Sequence, residues 1–168
     1  QYGRGFSDRP KAAFTIDLMR VQLRELMDHL EIERAHLYGV SLGGAIVTRF
    51  AAAHVDRVAS LGLQVPVIGG ANVSRGVSLA RLQIIGKLLA RFYAIPAIID
   101  RGESFSPETE AGRALMAHFK GQFAVKGTER MMAQMITGDA LSDRMEDHRA
   151  IAAAGIPVHF AYAEDDPE

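Results

Sequence analysis

Cysteine is absent from this chain of 168 residues, and its absence removes several kinds of chemistry. No disulfide, thiol nucleophile or cysteine-ligated zinc site can form. A chain without cysteine also carries no sign of the redox compartment in which it works. The first residues, Gln1-Tyr2-Gly3-Arg4-Gly5, show neither an initiator methionine nor a signal peptide. We therefore expect the chain to be the middle part of a longer protein.

An excess of charge of either sign is missing as well. The chain has 19 basic and 20 acidic side chains, a net charge of -1, and no long run of like charge. This balance gives no electrostatic basis for binding nucleic acid. The nucleotide-binding patterns G-x-G-x-x-G and G-K-[ST] are also absent. A small-molecule substrate is the default expectation, no cofactor or metal is indicated, and no pattern fixes an oligomeric state.

The most apolar stretch, residues 77–99, is interrupted by charge. On a helical wheel, Arg81, Lys87 and Arg91 share one side with Gln83. The opposite side carries four apolar residues: Leu82, Ile85, Leu89 and Phe92. This pattern predicts an amphipathic helix with a solvated basic face and no membrane insertion.

The pentapeptide Gly39-Val40-Ser41-Leu42-Gly43 is the most informative feature that the sequence does contain. It lies between a short apolar strand pattern and a helical pattern, which is the setting of a nucleophile elbow. Serine on so tight a turn needs a strained backbone, and glycine at Gly39 and Gly43 is expected to relieve clashes. The N-terminus of the following helix favours negative charge beside Ser41. A glycine-rich turn that binds phosphate, or no ligand, is the alternative.

Strand and helix patterns alternate around this motif. Helices are predicted at 15–30, 44–53 and 144–154, and strands at 35–39, 58–65 and 156–162. This alternation implies an α/β fold in which helices flank a parallel sheet. Between the second and third strands only helices are predicted, at 77–93, 107–119 and 128–136. We therefore divide the chain into a first core part (1–67), a helical insertion (68–145) and a second core part (146–168).

Four segments together resemble the α/β-hydrolase superfamily. They are the loop Gly3 to Pro10, the elbow Gly39 to Gly44, the helical insertion, and Ile156-Pro157-Val158 leading to Glu164-Asp165-Asp166-Pro167. Their order and spacing look like small serine esterases and monoacylglycerol-lipase-like enzymes. Carbon-carbon bond hydrolases of aromatic breakdown are similar too. The resemblance implies a partial hydrolase core and a cap formed by the insertion over the active site.

The resemblance also implies roles for individual residues. Ser41 would be the nucleophile, and the backbone N–H of Leu42 would be an oxyanion donor. Asp166 would be the acid of the triad, with Asp165 as the alternative because Ala163 replaces a glycine that is common there. The catalytic histidine is expected beyond residue 168 and the second oxyanion donor before Gln1. The fragment alone is therefore expected to be inactive.

The reaction implied for the complete protein is hydrolysis of a carboxylic ester through an acyl-enzyme on Ser41. Three methionines of the insertion, Met131, Met132 and Met135, either line a pocket for a small or medium apolar acyl group or pack between helices. Two other functions stay open, namely carbon-carbon bond hydrolysis of the meta-cleavage product type and non-catalytic binding on the same fold. Dehalogenases and epoxide hydrolases of similar fold carry aspartate at the elbow, and are not expected here.

Overall fold

The computed structural model describes residues 1–5, 7–68, 83–105, 108–162 and 164. Its elements in chain order are α1 (Ile16–His29), β1 (Ala35–Val40), α2 (Leu42–Ala53), a 3-10 turn (Val55–Arg57), β2 (Val58–Gln64), α3 (Gln83–Leu89), a π turn (Ala90–Ala94), α4 (Ile95–Phe105), α5 (Glu110–Phe123), α6 (Thr128–Thr137), α7 (Met145–Ala153) and β3 (Val158–Ala161).

The chain packs as two compact units. The helical unit consists of Gln1–Phe14 and Val73–Gly138, and the sheet unit of Thr15–Asn72 and Asp139–Glu168. These bounds differ from the predicted division at its edges, since residues 1–14 pack with the insertion and residues 139–145 with the sheet. That the helical unit is a cap over an active site stays a prediction.

The sheet unit contains a three-stranded parallel sheet in the order β1-β2-β3. At the carboxyl ends of the strands, Val40 pairs with Gln64 and Gln64 with Ala161. All three strands begin and end within two residues of the predicted bounds. The predicted fold class, a parallel sheet flanked by helices, is therefore confirmed.

Helix α1 begins where its sequence provides a cap. The Thr15 hydroxyl accepts the Leu18 N–H at 3.1 Å, which satisfies one of the amides that the first turn leaves free. Asp17 lies in the first turn and His29 in the last, as the helix dipole favours.

One apolar core fixes the helices of this unit on one face of the sheet. It includes Phe50 of α2, Leu61 and Leu63 of β2, and Ile151 of α7, each no more than 1% exposed. Burying one such side chain stabilises the fold by about 2 kcal/mol. The core thus holds the start of α2 in a fixed position beside the ends of β1 and β2.

An ion-pair network joins the three helices of the sheet unit. Arg49 of α2 lies 3.1 Å from the Asp17 carboxylate of α1 and 2.9 Å from the Asp147 carboxylate of α7. Hydrogen bonds from Arg20, and then from Arg49, lower the pKa of Asp17. Hydrogen bonds to Asp17, and then to Asp147, raise the pKa of Arg49.

The helical unit differs from expectation after α3, because the chain stays helical past residue 93. The Ile95 N–H donates to the carbonyl of Ala90, five residues earlier, in a π turn. Pro96 has no N–H to donate, and the wider turn before it lets helix α4 continue. Helix α4 is not predicted from the sequence, because a proline commonly marks the end of a helix.

The predicted apolar stripe on α3 was wrong. Ile85, Leu89 and Phe92 are 37%, 36% and 62% exposed, and Leu82 lies outside the described residues. The small residues Gly86 and Ala90 are buried instead, and α3 packs against α6. Within the described ranges, no helix has both the length and the apolar character needed to cross a bilayer.

Candidate active site

Ser41 lies between the end of β1 and the first residue of α2, in the backbone conformation expected of a nucleophile elbow. Its φ is 50° and its ψ is -118°, a region that few non-glycine residues occupy. The Ser41 N–H donates to the Gln64 carbonyl, and the Ser41 carbonyl accepts the Gly44 N–H, each at 2.9 Å. Because both bonds are made to ordered secondary structure, the strain of about 1–3 kcal/mol is held in place.

Glycine is required on both sides of Ser41, but not at both predicted positions. A Cβ added at Gly39 would lie 2.4 Å from the backbone oxygen of Gly43. A Cβ at Gly44 would lie 2.7 Å from the Cβ of Pro66. At Gly43, an added Cβ meets no atom of the described chain within 4 Å. The expected clash at Gly43 was therefore wrong, and the second steric requirement falls on Gly44.

The Ser41 hydroxyl is available for chemistry. Ser41 is exposed, and its side chain does not cap α2. Leu42 is the first helical residue, so its N–H has no acceptor within the helix. The first turn of α2 contains no acidic side chain. The positive end of the helix dipole is therefore free to stabilise negative charge beside Ser41.

Val65 is a second strained residue at the same edge of the sheet, and its strain is not predicted from the sequence. It follows β2 directly, and its φ of 38° is an outlier for a β-branched side chain. Its N–H donates to the Ala161 carbonyl at 2.9 Å. Pro66 signals the end of β2 in the sequence, but no residue type there signals a positive φ. Strained residues after neighbouring strands, at the carboxyl edge of a parallel sheet, are typical of a functional site.

In the sequence, the predicted acid comes after the third strand, whose carboxyl end lies at this edge. Strand β3 ends at Ala161, two strand spacings or about 10 Å across the sheet from the end of β1. Tyr162, the next residue, stacks on Phe160 with ring centroids 6.2 Å apart. Asp165 and Asp166 lie outside the described residues, so the acid of the triad stays a prediction.

Two histidines of the sheet unit have lowered pKa values. Burial, and then the charge of Arg20, lowers the pKa of His54, whose Nε2 lies 3.0 Å from Arg20 Nη1. Burial also lowers the pKa of His148, against an opposing effect of Asp147. Among the side chains that the structure describes, no cluster of three or more histidines and carboxylates could hold a metal ion.

The family model of the alpha/beta hydrolase fold matches residues 1–96, more than half of the chain. The 2-hydroxy-6-oxo-6-phenylhexa-2,4-dienoate hydrolase of Comamonas testosteroni is 40% identical over 75 residues, which are 45% of this chain and 25% of that protein. A dihydrolipoyllysine-residue acetyltransferase component of an acetoin cleaving system from Pseudomonas putida is 31% identical over 104 residues, 59% of this chain and 28% of that protein.

Solved structures share the fold at low identity. The crystal structure of the enol-lactonase from Burkholderia xenovorans LB400 matches with a TM-score of 0.64 and 21% identity, over 97% of this chain and 70% of that chain. The match to each of the two curated relatives spans only about a quarter of that protein. The family model, the parallel sheet and the strained serine before α2 agree with one another. This chain belongs to the α/β-hydrolase fold family.

Proposed function

We propose that the complete protein containing this chain is a serine hydrolase that cleaves a carboxylic ester, with Ser41 as the nucleophile. The observation that carries the proposal is the exposed Ser41 with φ of 50° at the N-terminus of α2. A strained serine costs stability, and this cost persists at functional sites, where a side chain must be presented in one orientation.

The proposed reaction has two steps. A histidine expected beyond residue 168, oriented by Asp166, takes the proton of Ser41 as the hydroxyl oxygen attacks the ester carbonyl carbon. The alcohol leaves with that proton and the acyl group stays on Ser41. Water then attacks the acyl-enzyme, with the histidine in the same roles, and releases the acid.

The backbone N–H of Leu42 would stabilise the oxyanion in both steps. One donor of this kind contributes about 3–4 kcal/mol to the transition state. Its direction is set by α2, and α2 is fixed by the core of the sheet unit. The proposed donor would therefore need no rearrangement when substrate binds, which is the condition for such stabilisation.

The acyl group is proposed to be small or medium and apolar. The methionines of the insertion do not support this directly, since Met131, Met132 and Met135 are 1%, 5% and 6% exposed and pack inside the helical unit. The enol-lactonase of similar fold supports the ester class, because a lactone is a cyclic ester.

Carbon-carbon bond hydrolysis is the second candidate. It is favoured by the 40% identity to the dienoate hydrolase of Comamonas testosteroni over 75 residues. In such a reaction the attacked carbonyl is a ketone and the leaving group is carbon. The same serine and the same oxyanion donor would serve both reactions, so geometry at Ser41 alone does not separate them.

A spectrophotometric assay on the complete protein separates the two candidates. We expect p-nitrophenyl butyrate to be hydrolysed with a higher kcat/KM than 2-hydroxy-6-oxo-6-phenylhexa-2,4-dienoate. Ser41→Ala should lower ester kcat by a factor of about 10⁴ or more, and Asp166→Asn by about 10⁴. Ser142→Ala, which alters another exposed serine of the sheet unit, is the matched control.

Three results of this assay would count against the proposal. Ester hydrolysis that survives in Ser41→Ala would exclude this serine as the nucleophile. Preference for the dienoate would favour the second candidate. Loss of activity in Asp165→Asn, with Asp166→Asn still active, would move the role of the acid to Asp165.

A further inference from the structure

A pocket with an unusual charge lies within the helical unit, where the N-terminal loop packs against α6. Its volume is about 530 Å³, a size that suits a small molecule. It is lined by Arg9, Lys11, Lys126, Gly127, Arg130 and Gln134. Four of these side chains are cationic, and none of the six is acidic. Within a chain of almost neutral charge, the pocket concentrates positive charge.

The guanidinium of Arg9 is incompletely satisfied. Its Nη1 donates to the carbonyls of Gly5 and Ser7 at 3.4 and 3.2 Å. Its Nε and Nη2 atoms are buried, and no acceptor in the described chain bonds to them. Arg9 as a whole is partly buried, so the cost falls on these two unpaired donors, and negative charge in the adjoining pocket would stabilise the guanidinium.

The surroundings of Arg9 add to the positive potential. Burial, and then the charge of Arg9, lowers the pKa of Arg4. Arg130 is held by two hydrogen bonds from its Nη2, to the carbonyls of Arg9 and Pro10 at 3.1 and 2.6 Å. Its guanidinium also lies 5.4 Å from the ring centroid of Phe14. Hydrogen bonds to backbone carbonyls therefore hold Arg9 and Arg130 in position before any ligand binds.

The N-terminus of α6 lies beside the same cations, since Gly127 also lines the pocket. Gly127 precedes the helix with a φ of 95°, and no side chain caps the first turn. Glu129 in that turn lies 4.0 Å from Arg91 and does not line the pocket. The Thr128 N–H donates to the Val125 carbonyl at 3.1 Å, and the amides of the next two residues, which have no acceptor within the helix, favour an anion there together with the helix dipole.

We propose that this pocket binds the phosphate group of a small molecule. Phosphate carries up to two negative charges and three acceptor oxygens, which match several cations and free amides together. A single carboxylate would neutralise only one of the four cations. No residue that lines the pocket has a role in the reaction proposed for Ser41, so the proposal does not depend on the proposed hydrolase activity.

Titration calorimetry with inorganic phosphate tests the proposal on the complete protein. We expect saturable binding at one site, weakened by sodium chloride because the cations are partly exposed. Lys11→Gln and Lys126→Gln should each weaken binding about tenfold, as expected for loss of a hydrogen bond to a charged group. Lys87→Gln, an exposed lysine of the same unit outside the pocket, should leave binding unchanged.

All three lysines are exposed, so their variants should keep the circular dichroism and thermal midpoint of the parent. Ser41→Ala should bind phosphate as the parent does, which separates this proposal from the hydrolase proposal. The proposal is overturned by absence of saturable binding or by equal binding in the three lysine variants. It is also overturned if acetate binds as tightly as phosphate.

Discussion

Ser41 shows how a few contacts maintain a costly backbone conformation. The residue has a positive φ, and its amide and carbonyl are bonded to the end of β2 and to the first turn of α2. Gly39 and Gly44 allow the close approach of these segments because neither carries a side chain. The strain is therefore a property of the whole junction, and a side chain added at Gly39 or Gly44 should lower the stability of the protein.

Gly39→Ala should destabilise the protein by about 2–3 kcal/mol, because its Cβ would lie 2.4 Å from a backbone oxygen that cannot move aside. Gly43→Ala is the matched control. It meets no described atom within 4 Å and should change stability by no more than about 1 kcal/mol, in the favourable direction. Urea unfolding of the complete protein measures the change in the free energy of unfolding that each substitution causes. Equal destabilisation by the two changes would contradict the steric account of the elbow.

The motif could be predicted from the sequence, but its steric details could not. The strand, the serine and the helix that follows are encoded locally, within 12 residues on either side. The need for glycine at Gly44 depends on Pro66, which is brought close only by the pairing of β1 with β2. The strain at Val65 likewise depends on its bond to Ala161 in β3.

At the level of elements, the predictions were accurate where local signals were strong. Thr15 caps α1 and Gly155 follows α7, and both helices have nearly the predicted bounds. The predictions failed for the buried side of α3, because that side is decided by the helix against which α3 packs. Sequence indicated an apolar face on α3, whereas Gly86 and Ala90 are buried because α3 packs against α6.

The charged contacts between α1 and α2 make a prediction about acid stability. Because its pKa is lowered below the ordinary value of 3.8, Asp17 contributes stability that is complete above pH 3.8 and is lost as the pH falls through the folded-state pKa. The free energy of unfolding of the parent should therefore fall more steeply with decreasing pH below about 3.8 than that of Asp17→Asn.

Urea unfolding at a series of acidic pH values checks this difference. Glu146→Gln is a suitable control, since this carboxylate is 85% exposed and pairs only with Arg149 of its own helix in the described chain. In this control, the slope of the free energy of unfolding against pH should equal that of the parent. Identical slopes in the parent and in Asp17→Asn would show that the contacts with Arg20 and Arg49 do not stabilise the fold.

At the scale of the molecule, the two units carry separate proposals. The sheet unit holds the proposed nucleophile, and the helical unit holds the proposed phosphate pocket. The sheet has one exposed face, on which Tyr38 and Val40 are 61% and 49% exposed, whereas parallel sheets are usually covered on both faces. Because one face of the sheet is uncovered in this chain taken alone, the tests use the complete protein that contains it.

Covalent labelling by a fluorophosphonate tests the central claim most directly. Trypsin releases the peptide from Ala35 to Arg49, in which Ser41 is the only serine, so fragmentation of the labelled peptide in the mass spectrometer distinguishes Ser41 from Tyr38 and Thr48. We expect one phosphonyl adduct on this peptide of the complete protein, formed with loss of fluoride, absent in Ser41→Ala and retained in Ser142→Ala. A folded protein whose Ser41 peptide stays unlabelled, or that carries the label elsewhere, would contradict the assignment of Ser41 as an activated nucleophile.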